Sequence, residues 1–160
     1  MSRTERYAWL SLLAWIAILF FLLVRFTTGI ELLGHSFGFT IVEQSAGKLF
    51  GTYVSLTIAV IVFESIIASV TATVGRNGSV EKDERDHAIE ARANLASYWF
   101  TAASLNIIVI QVLASAAYGI TLLKDINLVT PTGVVLALLL VLVGAEIVKR
   151  IALIWNYRAA

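Results

Sequence analysis

Four long apolar stretches alternate with polar segments along this chain of 160 residues. They cover about residues 7–26, 49–74, 95–123 and 132–155. A helix rises about 1.5 Å per residue, so roughly 20 apolar residues cross the hydrocarbon core of a bilayer. Each stretch is long enough, and the pattern therefore predicts an all-α, integral membrane four-helix bundle that forms one transmembrane domain.

Composition supports this class of protein. The chain is 59% hydrophobic and 14% charged, whereas a soluble domain carries roughly 25% charged residues. Such an excess of apolar side chains suits a protein whose outer solvent is lipid. Pro131 is the single proline, so nearly every apolar stretch can form an unbroken helix.

The first apolar stretch has a rival interpretation as a signal peptide, because Arg3 and Arg6 precede it. The apolar core of a signal peptide is usually only about 7–15 residues long and leads to a small-residue cleavage site. Residues 7–26 are longer and end in Arg25 and Phe26 without such a site. We therefore expect an uncleaved first span.

Residues 27–48 are semi-polar and lie between the first two predicted spans. They carry too many polar groups to cross a bilayer and too many apolar side chains to serve as a free linker. This intermediate character predicts an interfacial or partly re-entrant loop.

Residues 75–94 are the only densely charged segment. Nothing between Asp83 and the end of the third span would interrupt a helix, so the third helix is expected to start in water and run into the membrane without a break.

Four spans place the charged segment 75–94 and both termini on one side of the membrane. That side holds nine basic residues: Arg3, Arg6, Arg76, Lys82, Arg85, Arg92, Lys149, Arg150 and Arg158. The other side holds Arg25, Lys48 and Lys124, so the positive-inside rule predicts cytoplasmic termini.

One face of the charged segment has two possible roles. Asp83, Asp86, His87 and Glu90 follow the spacing i, i+3, i+4 and i+7, and Arg85 lies among them. Three carboxylates and an imidazole in one stripe have the ligand chemistry of a divalent-cation site. Charged runs are more often solvated or partner-binding faces, so we expect no bound metal and treat these five residues as candidates for contact with a partner.

The motif D-E-R-D-x-x-I-E-x-R-A, Asp83–Ala93 in this chain, resembles the loop of small uncharacterised bacterial four-span membrane proteins. In those proteins an acidic-arginine motif leads directly into the third helix. The resemblance implies a location in the bacterial cytoplasmic membrane. It implies no activity and no catalytic residue.

Polar groups inside the predicted spans are the second source of candidates. Glu64 and Glu146 lie at similar depths in parallel spans, and Asn106 of the third span is expected to reach the same layer. Lys149 and Arg150 follow Glu146 by three and four residues and can neutralise it. Glu64 has no such neighbour, so it serves either as a hydrogen-bonded packing group, with Asn106 or another subunit, or as a proton or cation relay.

Several enzyme classes are excluded. The chain has no cysteine, which excludes thiol chemistry. His35 and His87 lie outside the predicted spans, so the helices offer no haem ligands. A net charge of +1 gives no basic surface for nucleic acid.

With neither a catalytic set nor a cofactor indicated, the sequence predicts a non-enzymatic accessory or regulatory membrane protein. It would work as a homo-oligomer or with a membrane protein partner. The alternative is an oligomeric proton-coupled transporter of small molecules that uses Glu64.

Overall fold

A computed structural model describes residues 3–32, 34–73, 84–119 and 128–159. In chain order the elements are α1 (Arg3–Phe26), β1 (Thr27–Leu32), β2 (His35–Ile41), α2 (Ala46–Thr73), α3 (Glu84–Tyr118) and α4 (Pro131–Ala159).

All four helices are long and apolar enough to cross a membrane. The shortest, α1, has 24 residues, which at about 1.5 Å per residue exceeds the roughly 30 Å of a hydrocarbon core. The predicted all-α four-helix membrane bundle is confirmed. The third helix is continuous from the charged segment into the apolar span, as the sequence predicted, but it ends at Tyr118 and not at the predicted residue 123, because Gly119 adopts a left-handed conformation.

Helix α4 is the centre of the bundle. It packs against α1 on one side and α3 on the other, while α2 packs mainly against α1. The larger of two buried clusters joins α1, α2 and α4 through Trp15, Ile18, Leu22, Phe26, Leu49, Leu56, Leu136, Leu139 and Val143. The smaller one joins the beginnings of α1 and α3 to the end of α4 through Ala8, Leu12, Ile89, Ala93, Leu153 and Ile154.

Local signals fix two helix ends. Pro131 is the first residue of α4, where its missing N–H leaves no bond unmade. The Thr130 hydroxyl accepts a bond of 3.2 Å from the Gly133 N–H, so Thr130 caps this helix. Helix α3 ends before Gly119, whose φ of 65° lets its N–H donate to the Ser115 carbonyl at 3.1 Å.

The chain between α1 and α2 differs from the predicted loop. Thr27–Leu32 and His35–Ile41 form an antiparallel hairpin in which Thr27 pairs with Ile41 and Leu32 with His35. Pairing of the two strands satisfies backbone groups that an irregular loop at the membrane surface would leave unpaired. Gly34, with φ of 78°, allows the chain to reverse between the strands.

Gln44 fastens the hairpin end of the bundle. Its backbone N–H donates to the Thr132 hydroxyl at 3.0 Å, and its side-chain amide donates to the Arg25 carbonyl at 2.8 Å. Thr132 is fully buried. These two bonds join the end of α1 to the start of α4.

Helices α3 and α4 approach closely at Gly144. A Cβ atom there would lie 2.8 Å from Cε1 and Cζ of the Phe100 ring. One turn earlier on α3, the Ser97 hydroxyl donates to the Ala145 carbonyl at 2.9 Å. The absence of a side chain at Gly144 therefore lets an aromatic ring lie directly on the backbone of α4.

Candidate functional site: a polar cluster between the helices

Three side chains on one face of α1 point at a single carboxylate. Tyr7, Ser11 and Trp15 are spaced four residues apart and so share a helix face. The Tyr7 hydroxyl donates to Oε2 of Glu64 at 2.5 Å. The Ser11 hydroxyl and the Trp15 indole N–H donate to Oε1 at 2.9 and 3.0 Å. Neutral donors from α1 thus surround the acidic group of α2.

Arg150 of α4 completes the set. Its Nη2 atom lies 3.3 Å from Oε1 of Glu64 and 3.3 Å from Oε2 of Glu146. Its guanidinium carbon also lies 5.2 Å from the centroid of the Tyr7 ring, within the range of a cation–π contact. One cation therefore links the two carboxylates and the aromatic ring of α1.

Burial makes this cluster electrostatically important. The side chain of Arg150 is only 10% exposed, against 26% for Glu64 and 33% for Glu146. A charge at the bilayer centre costs about 2.5–3.5 kcal/mol on insertion scales, and pairing removes much of that penalty. The cluster holds two carboxylates and one guanidinium, so it carries one formal negative charge when all three groups are ionised.

Glu64 is fully engaged by this arrangement. A carboxylate offers about four lone-pair sites, and Glu64 accepts bonds from Tyr7, Ser11, Trp15 and Arg150. Such a set binds and orients a carboxylate firmly. It suits a structural joint between three helices better than a group that must release its partners in every cycle.

The three predicted intramembrane residues, Glu64, Glu146 and Asn106, have different surroundings. Glu146 pairs with Arg150 one turn away, as its spacing predicted. The depth of Asn106 stays a prediction. The side-chain amide of Asn106 is exposed and donates to the Ala102 carbonyl of its own helix at 2.8 Å. In the part of the chain that the structure describes, no bond joins Asn106 to Glu64.

Four partners of Glu64 are not predicted from the sequence. The spacing on α4 relates Arg150 to Glu146, and Tyr7, Ser11 and Trp15 lie in an apolar span. Their spacing of four residues was a usable signal, because three hydrogen-bonding side chains on one face of a membrane helix need acceptors.

The charged start of α3 is docked on the bundle. Ile89 and Ala93 are buried against α1 and α4. The Tyr157 hydroxyl of α4 donates to Oδ1 of Asp86 at 2.8 Å. Arg85 and His87 are exposed. The first turns of this helix thus have one face in contact with the bundle and one face open.

The structure describes three of the four residues of the predicted cation-binding face, Asp86, His87 and Glu90. Asp83 lies outside the described residues, Glu90 is half-buried, and Asp86 is bonded to Tyr157. Among the residues that the structure describes, no group of three or more His, Cys, Asp or Glu side chains is arranged to hold a metal ion.

A second ionic contact lies at the same end. Nε of Arg158 is 3.7 Å from Oε1 of Glu5, and the guanidinium carbon is 5.3 Å from the centroid of the Trp9 ring. The start of α1, the start of α3 and the end of α4 therefore meet at one end of the bundle. The hairpin lies at the opposite end.

Four membrane-length helices, three of them joined by an ionic cluster, define a multi-pass helical membrane protein. Comparison with protein-family models, with curated proteins and with solved structures finds no match for this chain. The resemblance of Asp83–Ala93 to small bacterial four-span proteins stays a prediction.

Proposed function

We propose that this protein is a non-enzymatic accessory or regulatory subunit that binds a membrane protein partner through the exposed face of the first turns of α3. It resides in the bacterial cytoplasmic membrane with both termini in the cytoplasm. The docking of this charged helix start on α1 and α4 is the observation that carries the proposal.

A binding surface needs a fixed shape. Ile89 and Ala93 anchor the helix by burial, and the bond between Asp86 and Tyr157 fixes its rotation. Arg85, His87 and Arg92 then remain exposed. Holding these side chains on a rigid helix lowers the entropy lost when a partner binds.

Orientation follows from the distribution of charge. Nine of the twelve basic residues belong to the termini, the charged segment or the last part of α4. Basic residues near span ends are retained in the cytoplasm. The proposed surface would therefore meet the cytoplasmic part of a partner, and acidic groups would complement Arg85 and Arg92.

We expect the triple variant Arg85→Ala, His87→Ala, Arg92→Ala to lower partner recovery by roughly tenfold, since loss of about 1.4 kcal/mol at an interface weakens binding tenfold. The measurement is affinity purification in mild detergent with quantitative mass spectrometry of isotope-labelled samples against the unmodified protein. Co-expression of a second, differently tagged copy distinguishes self-association from binding of a different membrane protein.

The matched control is Glu43→Ala with Lys48→Ala. Both side chains are exposed and belong to the opposite end of the bundle. Recovery should stay unchanged in this control. Equal recovery from the triple variant and the unmodified protein would disprove the proposed binding face.

A second proposal is an oligomeric proton-coupled transporter of small molecules. It is favoured by one observation, namely that Glu64 and Glu146 share the single guanidinium of Arg150. A proton or monovalent cation would neutralise the remaining negative charge. The partial exposure of Glu146 would give that ion a route to the cluster.

This second proposal predicts that Glu64→Gln abolishes substrate-driven proton flux in liposomes. The control is Asn106→Ala, a change at an exposed side chain of α3, which should leave the flux intact. Thermal melting in detergent identifies a variant that loses flux only because it unfolds. Undiminished flux in folded Glu64→Gln protein would eliminate the relay.

A further inference from the structure

An open groove lies between the start of α1 and the end of α4. Its volume is about 390 Å³. The lining residues include Trp9, Leu12, Ile151, Ile154, Trp155 and Arg158. The wall is thus almost wholly apolar, and a single cation is part of it.

The cation in this wall is Arg158, and part of its guanidinium group is exposed. The Arg158 side chain is 65% exposed, and its Nε atom lies 3.7 Å from Oε1 of Glu5. The face of the guanidinium rests on the Trp9 ring. Its terminal amino groups therefore lie at an exposed edge, where they can bind the oxygens of a phosphate.

Trp9 contributes its ring to the same wall. Its indole Nε1 is buried, so a molecule in the groove does not reach this atom. The ring supports the guanidinium of Arg158 from one side. Trp9 therefore orients the cation, and Arg158 alone offers donors to an anion.

The groove also has the position expected of a lipid site. It lies in the last turns of α4 and the first turns of α1, where the apolar spans give way to charged ends. Tryptophan is enriched at this boundary in membrane proteins. Arg6, which precedes Trp9 by three residues and is exposed, adds a second positive charge nearby.

We propose that this groove binds one anionic phospholipid. An acyl chain lies along Leu12, Ile151 and Ile154, and the phosphate binds Arg158. Charge complementarity selects the anionic headgroup, because the exposed edge of Arg158 requires an anion. This site is separate from the proposed partner-binding face and does not depend on it.

The test is native mass spectrometry of the detergent-purified full chain, titrated with phosphatidylglycerol or phosphatidylcholine. We expect one bound phosphatidylglycerol with several-fold higher affinity than phosphatidylcholine. Each basic residue near an anionic surface contributes about 1 kcal/mol, so Arg158→Gln should weaken phosphatidylglycerol binding roughly fivefold. Its affinity for phosphatidylcholine should change little.

A second variant tests the acyl-chain half of the site. Ile151 is half-exposed in the groove wall, so Ile151→Trp should fill the space and reduce binding of both lipids without removing charge. Arg25→Gln, a change at an exposed arginine at the hairpin end of α1, is the control and should bind like the unmodified protein. Melting curves without lipid show that each variant is folded.

Three results would overturn the assignment. Equal affinity for the two lipids, unchanged by Arg158→Gln, would mean that the groove recognises no anion. Unchanged binding in Ile151→Trp would place the lipid elsewhere. A dimer that excludes lipid and dissociates in Ile151→Trp would show that a second copy of the chain occupies the groove.

Discussion

Replacing Arg150 with methionine should lower the free energy of unfolding by about 3–5 kcal/mol, the usual effect of removing one partner from a buried ion pair. Arg150 is 8% exposed and binds both Glu64 and Glu146. Without it, two carboxylates lie in an apolar environment with no cation between them. Unfolding by sodium dodecyl sulfate in mixed micelles, followed by circular dichroism, measures this loss.

A second change separates charge from packing. Adding Glu64→Gln to Arg150→Met removes one unpaired carboxylate while keeping a side chain of similar size. We expect this double variant to regain a clear part of the lost stability. Arg25→Met, at an exposed arginine near the hairpin, is the control and should have a small effect. Equal stability of Arg150→Met and the control would show that the cluster does not hold the helices together.

Gly144→Ala is expected to destabilise the bundle by about 1–3 kcal/mol, the range for an overfilled core position. Alanine normally stabilises a helix relative to glycine by about 1 kcal/mol. A loss of stability in this variant would therefore indicate a steric clash. The added Cβ would overlap the Phe100 ring at 2.8 Å. Either α3 must move away from α4 or the ring must rotate out of its place.

Gly51→Ala is the matched control. Gly51 also lies inside a helix, and a Cβ there would meet no atom within 4 Å. This variant should be neutral or slightly more stable. Phe100→Leu, which shortens the opposing side chain, should restore much of the stability of Gly144→Ala. The same unfolding assay serves all three variants, and equal stability of Gly144→Ala and Gly51→Ala would contradict the close contact.

The helices could be predicted because length and hydropathy alone decide whether a segment crosses a membrane. Pro131 at the start of α4 and the unbroken run from the charged segment into α3 were visible for similarly local reasons. The hairpin was not predicted, since its stability depends on pairing between Thr27–Leu32 and His35–Ile41. Cross-strand register is a relation between segments, which hydropathy does not report.

In the candidate site, too, contacts within one helix could be predicted and contacts between helices could not. The pair of Glu146 and Arg150 follows from a spacing of four residues on one helix, so the sequence predicted it. The bond between Glu64 and Arg150 joins residues 86 positions apart. Which helix faces lie together depends on the rotation of each helix, and side-chain polarity alone did not fix that rotation. The same ambiguity explains why the sequence did not show that Asn106 bonds within its own helix.

A ribosome makes Tyr7, Ser11 and Trp15 about fifty residues before Glu64, and it makes Arg150 only after two more spans. Helices α1 and α2, with the hairpin between them, can therefore enter the bilayer as a pair whose carboxylate already has three neutral donors. When α4 follows, its arginine meets an acceptor that is in place. The order of donors along the chain thus shields each charge from lipid at the moment when its own helix is inserted.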